Sequence, residues 1–203
     1  MVFWKENING MILASNSPRR KEILEYLGIK FFVETADIGD EMRFFESETD
    51  IKKAVELIAR KKNSPISEKY PDIPVLSADT VVVFDEKAFG KPKSANEARH
   101  MLRTFSGKTH SVYTAVNLVC KLKNFDETIL EETDVFFREI EADELEEYIE
   151  TAIFLDKAGG YAIQEHGKYF IEKINGDYWN VVGLPIAATI KLLKKYINEI
   201  NPF

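Results

Sequence analysis

Apolar runs alternate with stretches of helical spacing along this chain, and the alternation predicts a mixed α/β protein. Residues 10–14 form an apolar run without helical spacing, which is typical of a short buried strand, and residues 31–35 predict a second one. Residues 75–84 are rich in Val and predict a strong strand. An amphipathic helix between these strands is indicated by the spacing of Ile51, Ala54, Val55 and Ile58.

Capping residues, prolines and glycines indicate where several elements begin and end. Ser17 is a natural N-cap residue, and Pro18 suits the first position of the helix that follows the first strand. Gly28 is placed to end that helix. Residues 65–74 contain three prolines and predict a loop.

The second half of the chain repeats the mixture of strands and helices. A capping box at residues 94–97 predicts a helix that Gly107 ends. Residues 108–138 predict two long strands with a turn near residues 124–126. The remaining expectations are a short helix at 143–151, strands at 161–164 and 169–174, and a closing helix at 185–200. We therefore expect one α/β domain over residues 1–203, with mixed strand pairing and no separable parts.

Composition and charge narrow the function classes. The net charge is −7, whereas a general nucleic-acid binder usually carries a basic excess, so a polynucleotide partner is not expected. No run approaches the roughly 20 apolar residues that span a bilayer, and the N-terminus lacks the order of a secretory signal. Cys120 is the only cysteine, which excludes an internal disulfide. These features predict a cytoplasmic protein without a membrane partner.

A phosphate-binding turn is indicated at residues 15–20, Ser-Asn-Ser-Pro-Arg-Arg, between a strand and a helix N-terminus. Amide groups and the helix dipole favour an anion there, and Arg19 and Arg20 lie at the helix end where cations are unfavourable unless an anion is bound. The alternative is an ordinary capped helix with two solvated arginines. Spacing alone leaves both interpretations open.

Asp79 stands inside an otherwise apolar strand. Burial of a carboxylate is costly unless it is paired, hydrogen-bonded or bound to a metal, so Asp79 is a candidate metal ligand or general base. The alternative is an Asp at a strand end that caps a turn. Lys91, in Gly90-Lys91-Pro92, lies on a stiff turn suited to neutralise phosphate, although a turn lysine is more often simply solvated.

A third group lies at residues 156–164, where small residues precede Gln164. A glutamine amide carries a donor and an acceptor together and complements the N3–H and O4 edge of uracil or thymine. By its residue type alone, Gln164 is more simply a surface strand residue. The three histidines, His100, His110 and His166, show no metal-ligand spacing.

Together these segments resemble the Maf family of nucleotide pyrophosphatases, over residues 12 to about 193. The resemblance is carried by LASNSPRRK (13–21), SADTVV (77–82), GKP (90–92), SGKTH (106–110), DKAGGYAIQ (156–164) and NVVGLP (180–185). It implies an inosine-triphosphatase-like α/β fold, a long mixed sheet with flanking helices and a cleft between two lobes. Such proteins are often dimeric, so a homodimer is an expectation.

The resemblance also implies the reaction, which is hydrolysis of a nucleoside triphosphate between its α and β phosphates with a divalent cation, Mg²⁺ or Mn²⁺. The form of residues 156–164 is similar to that of the subfamily acting on dTTP and UTP. Two alternatives stay open. One is a nucleotide-binding regulator of septum formation with little catalysis, and the other is a purine-directed house-cleaning pyrophosphatase.

Roles are implied position by position. Ser15, Arg19 and Arg20 hold the triphosphate, and Thr80 is a further substrate-binding residue. Lys62 and Lys91 balance the charge of the triphosphate, and Gln164 recognises the base. Asp79 binds the metal or activates water, with Asp79, Lys91 and Arg19 as the catalytic set. The family's usual acidic residue falls at Gly39 in this chain, so Asp40 or Glu41 is expected to take that role, with Glu41 assigned to the metal.

Overall fold

The fold was obtained as a computed structural model that describes residues 10–200. Its strands are β1 (Met11–Leu13), β2 (Phe31–Val33), β3 (Val75–Phe84), β4 (Lys87–Phe89), β5 (Thr109–Cys120), β6 (Phe125–Phe137) and β7 (Ile171–Asn175). Its α-helices are α1 (Pro18–Tyr26), α2 (Met42–Ser47), α3 (Ile51–Lys69), α4 (Ala95–Phe105), α5 (Ala142–Glu150), α6 (Tyr178–Val182) and α7 (Ile186–Ile200). The predicted mixed α/β class is confirmed.

The strands form one seven-stranded sheet of mixed direction, in the order β2-β1-β3-β5-β6-β7, with β4 paired to β3. Strand β1 pairs in parallel with β2 and with β3, where Ile12 lies opposite Val75. Strand β4 pairs with β3, and β7 with β6, in the antiparallel direction. The predicted hairpin is present, because β5 and β6 are neighbours joined by a 3₁₀ turn at Lys121–Lys123 that Asn124 closes in the left-handed region.

Two local predictions were wrong, each for a reason that lies in the tertiary structure. Helix α3 runs through Pro65 to Lys69, although a loop was predicted from residue 65. Ile66 and Ser67 after the proline are buried, and the Ser67 hydroxyl donates to the Ser64 carbonyl at 3.2 Å. Packing of this face therefore outweighs the missing N–H of the proline.

The strand predicted at residues 161–164 is instead irregular. Of the two strands predicted in this region, only the one at residues 169–174 is present, as β7. Gly159 and Gly160 precede it with φ values of +69° and +77°. A β-carbon at Gly159 would come within 2.8 Å of the Val82 side chain. The chain therefore turns sharply where the pattern indicated an extended run.

The described chain divides into two compact units. The first contains the residues up to Asp79, then Thr114–Glu131 and the residues from Gly183 onward, and the second contains Thr80–Tyr113 and Glu132–Val182. The first has a core around Ile12, Ile66 and Val75. The second has a larger core around Phe105, Phe137, Tyr148 and Tyr161. The single-domain boundary and the cleft stay predictions, and within residues 10–200 no helix is long and apolar enough to cross a membrane.

Candidate active site

Helix α3 is fixed to strand β3 in the first unit by buried hydrogen bonds next to the candidate site. The Ser77 hydroxyl donates to the Ala59 carbonyl at 2.7 Å. The Asn63 amide donates to the Val75 carbonyl at 2.8 Å. Residues 77 and 79 share one face of a strand, because side chains alternate. The same attachment that orients Ser77 towards α3 therefore presents Asp79 to Lys62.

Asp79, Lys62 and Glu41 form a linked ionic group, which we call the Asp79 cluster. Lys62 Nζ lies 2.7 Å from Asp79 Oδ1 and 2.8 Å from Glu41 Oε1. The Asp79 side chain is only 7% exposed, whereas that of Glu41 is 43% exposed. Glu41 stands at the N-terminal boundary of α2, in the segment where the sequence offered Asp40 or Glu41. The structure thus brings together three of the predicted site residues.

Burial dominates the electrostatics of Asp79. Removal of the carboxylate from water raises its pKa above the ordinary value, and the nearby Glu41 charge acts in the same direction. The Lys62 ammonium and the Arg20 guanidinium oppose this by stabilising the charged form. A carboxyl group with a raised pKa is a better proton acceptor than an exposed aspartate, which suits a general base.

Arg20 is buried and braces the turn after β1. Its Nη1 donates to Ser15 Oγ at 3.0 Å and to the Ala78 carbonyl at 2.8 Å, while its Nε donates to the Gly183 carbonyl at 2.9 Å. Burial lowers the pKa of its guanidinium, and the Asp79 charge raises it. Arg20 therefore fixes Ser15 and the residue before Asp79 in one arrangement, a role that the sequence did not indicate.

The helix N-terminus after this turn keeps the character of an anion site. Ser17 occupies the predicted cap position, but its side chain makes no capping bond, and no acidic residue lies in the first turn of α1. The Ser17 amide instead donates to Ser15 Oγ at 3.2 Å. Ser15 Oγ thus accepts two hydrogen bonds that do not use its hydroxyl hydrogen, which can donate to a phosphate oxygen. Arg19, next along the helix, is half-buried.

Lys91 and Gln164 belong to the second unit, where a backbone bond ties their segments together. The Gly159 amide donates to the Gly90 carbonyl at 2.9 Å. Both Lys91 and Gln164 are exposed, which leaves their polar groups accessible to a ligand. Thr80 is half-buried and, by strand alternation, faces the side of β3 opposite to Asp79.

Sequence reasoning missed one buried charge in the second unit. Lys157 is 5% exposed, although lysine is rarely buried without a partner. Its only signal in the sequence is a charged residue beside the small residues Ala158, Gly159 and Gly160. His110, which lies in one of the segments named above, is also buried, and its Nε2 lies 2.7 Å from the Tyr161 hydroxyl.

A surface pocket of about 250 Å³ lies beside the exposed side of α3, within the first unit. Its lining includes Arg60, Lys61 and Lys121. Arg60 is paired with Asp126 at 2.8 Å, and Lys121 is paired with Glu68. Because two of its three cations are neutralised by neighbouring carboxylates, this pocket is a weaker anion site than the turn at Ser15.

Asp79 and Glu41 are the residues of the Asp79 cluster that could hold a divalent cation. Between residues 10 and 200 no group of three or more His, Cys, Asp or Glu side chains has the arrangement of a metal site. The two carboxylates nevertheless converge on the same Lys62 ammonium. Mg²⁺ is usually held by one or two carboxylates together with water and substrate phosphates, and two converging carboxylates fit that demand.

The fold and the site together define an α/β protein with a buried carboxylate beside a turn suited to phosphate. A family model described as "Maf-like protein" matches residues 10–196, and the chain belongs to this family. A protein named dTTP/UTP pyrophosphatase from Bacillus cytotoxicus is 45% identical over 185 residues, 91% of this chain and 94% of that protein. A protein of the same name from Bacillus pumilus is 42% identical over 196 residues, 97% of this chain and 100% of that protein.

Among solved structures, a HAM1 protein from Coxiella burnetii aligns with 96% of this chain and 99% of its own. The identity is 14% and the TM-score is 0.43.

Proposed function

We propose that this protein is a nucleotide pyrophosphatase that hydrolyses dTTP and UTP to the monophosphate and pyrophosphate. The observation that carries the proposal is the buried Asp79 carboxylate, held at 2.7 Å by Lys62. Curated relatives named for this reaction align with nearly the whole chain at 42–45% identity. A strand carboxylate without a chemical role is an expensive feature of a core, which is why we assign it the central one.

The roles of the other residues follow from where they lie. Ser15, Arg19 and Arg20 surround the N-terminus of α1 and are proposed to bind phosphate, with Arg20 acting mainly through Ser15. Lys62 balances the charge of Asp79 and of a bound phosphate. For the exposed residues of the second unit, we propose that Lys91 neutralises phosphate charge and Gln164 recognises the base, with Thr80 as a further substrate contact.

Asp79 and Glu41 are the residues proposed to hold Mg²⁺ or Mn²⁺. A cation bound there would supply charge neutralisation for the phosphate oxygens. The Lys62 ammonium now fills the space between the two carboxylates, at 2.7 and 2.8 Å. Substrate phosphate gives that ammonium a new anionic partner, so Lys62 can turn from Glu41 to phosphate when the nucleotide binds.

The chemical step is an in-line displacement at the α phosphorus. Asp79 accepts a proton from water as the water oxygen bonds to that phosphorus, and the bond to the bridging oxygen breaks. Pyrophosphate leaves with the electron pair of that bond. The guanidinium and ammonium groups stabilise the charge that accumulates on the leaving group, which is where preorganised charge is most effective.

The test is a panel of nucleoside triphosphates incubated with magnesium or manganese and assayed for monophosphate and pyrophosphate. We expect turnover of dTTP and UTP well above that of CTP and the purine nucleotides. Turnover highest with a purine nucleotide supports the house-cleaning alternative instead. Nucleotide binding without turnover supports the regulator of septum formation.

Base recognition by Gln164 has its own test. Gln164→Ala should lower the ratio of UTP to CTP turnover by about tenfold, because a pocket that loses a paired donor and acceptor loses discrimination. The unfolding midpoint should stay near that of the wild-type protein, since the side chain is exposed. An unchanged ratio removes Gln164 from base recognition. A cytoplasmic location and a homodimer also stay predictions.

A further inference from the structure

A buried ammonium group organises the segment that precedes and includes Gln164. Lys157 Nζ donates to the Ile153 carbonyl and to Asp156 Oδ1, both at 2.6 Å, and lies 3.4 Å from Glu165 Oε1. Glu165 is the residue directly after Gln164. One nitrogen therefore joins the two ends of the segment from Ile153 to Glu165, which we call the 153–165 loop.

The middle of this loop is fixed by other contacts. The Tyr148 hydroxyl donates to the Gly160 carbonyl at 3.0 Å, and the Tyr161 hydroxyl pairs with His110 Nε2 at 2.7 Å. The Gly159 amide donates to the Gly90 carbonyl, next to Lys91. The ion pair from Lys157 to Glu165 constrains the loop beyond Ala162, through a side chain at the Gln164 end.

We propose that Lys157 is a positioning residue that sets the orientation of Gln164 and thereby the discrimination between uracil-type and cytosine-type bases. This inference rests on the proposed function, because it gives Lys157 a role in the specificity of that reaction. Lys157 does not touch substrate in this account. It acts by holding Glu165, whose backbone continues directly from Gln164.

The burial of the Lys157 ammonium beside hydrated partners distinguishes positioning from simple stabilisation. The Lys157 side chain is 6% exposed, whereas those of Asp156 and Glu165 are 53% and 39% exposed. An ammonium group loses its hydration on burial, and partners that remain in contact with water repay that loss poorly. An apolar residue of similar length would fill the site at lower cost. The charge is therefore better explained by the single loop arrangement that it selects.

The decisive variant is Lys157→Met, which keeps the length of the side chain and removes the charge. We expect the ratio of kcat/KM for UTP to that for CTP to fall by about tenfold, chiefly through a higher KM for UTP. Lys168→Met is the matched control, because Lys168 is an exposed lysine close in sequence, and it should keep the wild-type ratio. Lys157→Arg keeps the charge and should restore most of the discrimination.

A merely structural role predicts a different result. Partial unfolding removes active protein and lowers turnover of UTP and CTP by the same factor, so the ratio stays constant. An equal loss for both nucleotides, or an unchanged ratio, overturns the proposal. If Lys157→Met does not fold, Glu165→Gln decides, because it removes the charge that pairs with Lys157 at the Gln164 end and leaves the Lys157 bonds to Ile153 and Asp156 in place. It should lower the ratio in the same direction by about threefold, and a wild-type ratio in that variant overturns the proposal.

Hydrogen exchange without nucleotide separates this inference from the proposed function. Amides of residues 162–166 should exchange faster in Lys157→Met than in the wild-type protein and in Lys168→Met. If the wild-type protein hydrolyses neither UTP nor dTTP, the proposed function fails. Equal hydrogen exchange in the three proteins then shows in addition that Lys157 does not position the 153–165 loop. If UTP is hydrolysed and exchange is equal, only the positioning role is overturned.

Discussion

Each unit of this protein contains a lysine that contacts two carboxylates, but the most buried member of the group is a carboxylate in one unit and the lysine in the other. In the Asp79 cluster the carboxylate is the most buried group, with Asp79 7% and Glu41 43% exposed around Lys62. In the 153–165 loop the lysine is buried, and both of its acidic partners face water. The same pair of residue types therefore forms two different kinds of site.

The difference shows which group bears the cost of desolvation. Asp79 bears it in the first unit, so its pKa rises and its carboxylate gains affinity for a proton. In the second unit, Lys157 bears it, while its partners stay hydrated and gain little reactivity. A buried carboxylate paired with a cation suits chemistry, whereas a buried cation between solvated carboxylates suits positioning. Variants at each site should separate catalysis from specificity.

The largest effect is expected from Asp79→Asn, which keeps the shape of the side chain and removes its basicity. Turnover of dTTP and UTP should fall about 10³-fold, the order that loss of a general base produces. Thermal stability should be equal or higher, because a neutral amide avoids the burial cost of the carboxylate. Pyrophosphate release and the circular-dichroism melting curve measure the two quantities.

Asp72→Asn is the matched control for this variant, because Asp72 is an exposed aspartate that precedes the same strand. It should retain wild-type turnover. Full activity in Asp79→Asn contradicts the division of roles between the two lysine sites, since the buried carboxylate would then have no chemical task.

A smaller effect is expected from Lys62→Met. Lys62 lowers the pKa of Asp79, so its removal raises that pKa further, and the acid limb of the pH–rate profile should move to higher pH. We expect kcat/KM near neutral pH to fall about 10²-fold, because phosphate also loses a cation. Lys61→Met, at the adjacent exposed position, should leave the profile unchanged. An acid limb that stays in place argues against Asp79 as the titrating base.

The smallest effect concerns stability in the second unit. Burial lowers the pKa of His110 to about 3, below its ordinary value near 6.5. As the pH falls, the unfolded chain therefore binds a proton at His110 that the folded chain does not bind. The stability that the neutral, buried His110 contributes is complete above pH 6.5 and is lost as the pH falls towards 3. Between pH 6.5 and 5 the loss amounts to about 2 kcal/mol.

His110→Phe should remove this dependence. Loss of the bond to Tyr161 lowers stability by the same amount at every pH, so the readout is the slope of the unfolding free energy with pH, measured in urea. That slope should be shallower than in the wild-type protein, whereas the exposed His100→Phe should keep it. Equal slopes in all three proteins contradict a buried neutral His110, and turnover at neutral pH should change little.

The sequence predicted elements well where a local pattern and tertiary packing agree. Strand β3 has the predicted bounds, and α4 begins after Ser94, whose side chain accepts from the Glu97 amide as expected. Prediction failed where local signals oppose packing. Pro65 marks a loop in isolation but lies in a helix whose next residues are buried, and residues 161–164 have an apolar pattern but follow two left-handed glycines.

The candidate site shows the same division between what the sequence pattern predicted and what tertiary packing decided. Ser15, Lys62 and Asp79 were expected to act together, and the structure links Asp79 to Lys62 and Ser15 to the carbonyl before Asp79 through Arg20. Glu41 was one of two choices that the sequence left, and its contact with Lys62 favours it. Lys157 was not identified, because a lysine beside small residues has no distinctive pattern.

By itself the sequence determined the α/β class, most element positions, the family and the candidate residues, because these depend on spacing, turn chemistry and ordered motifs. Only the tertiary structure decided which ionisable groups lose water. Burial depends on what packs against a side chain from distant parts of the chain, so no local pattern encodes it. That is why Lys62 accompanies a carboxylate with a raised pKa, whereas Lys157 fixes the 153–165 loop.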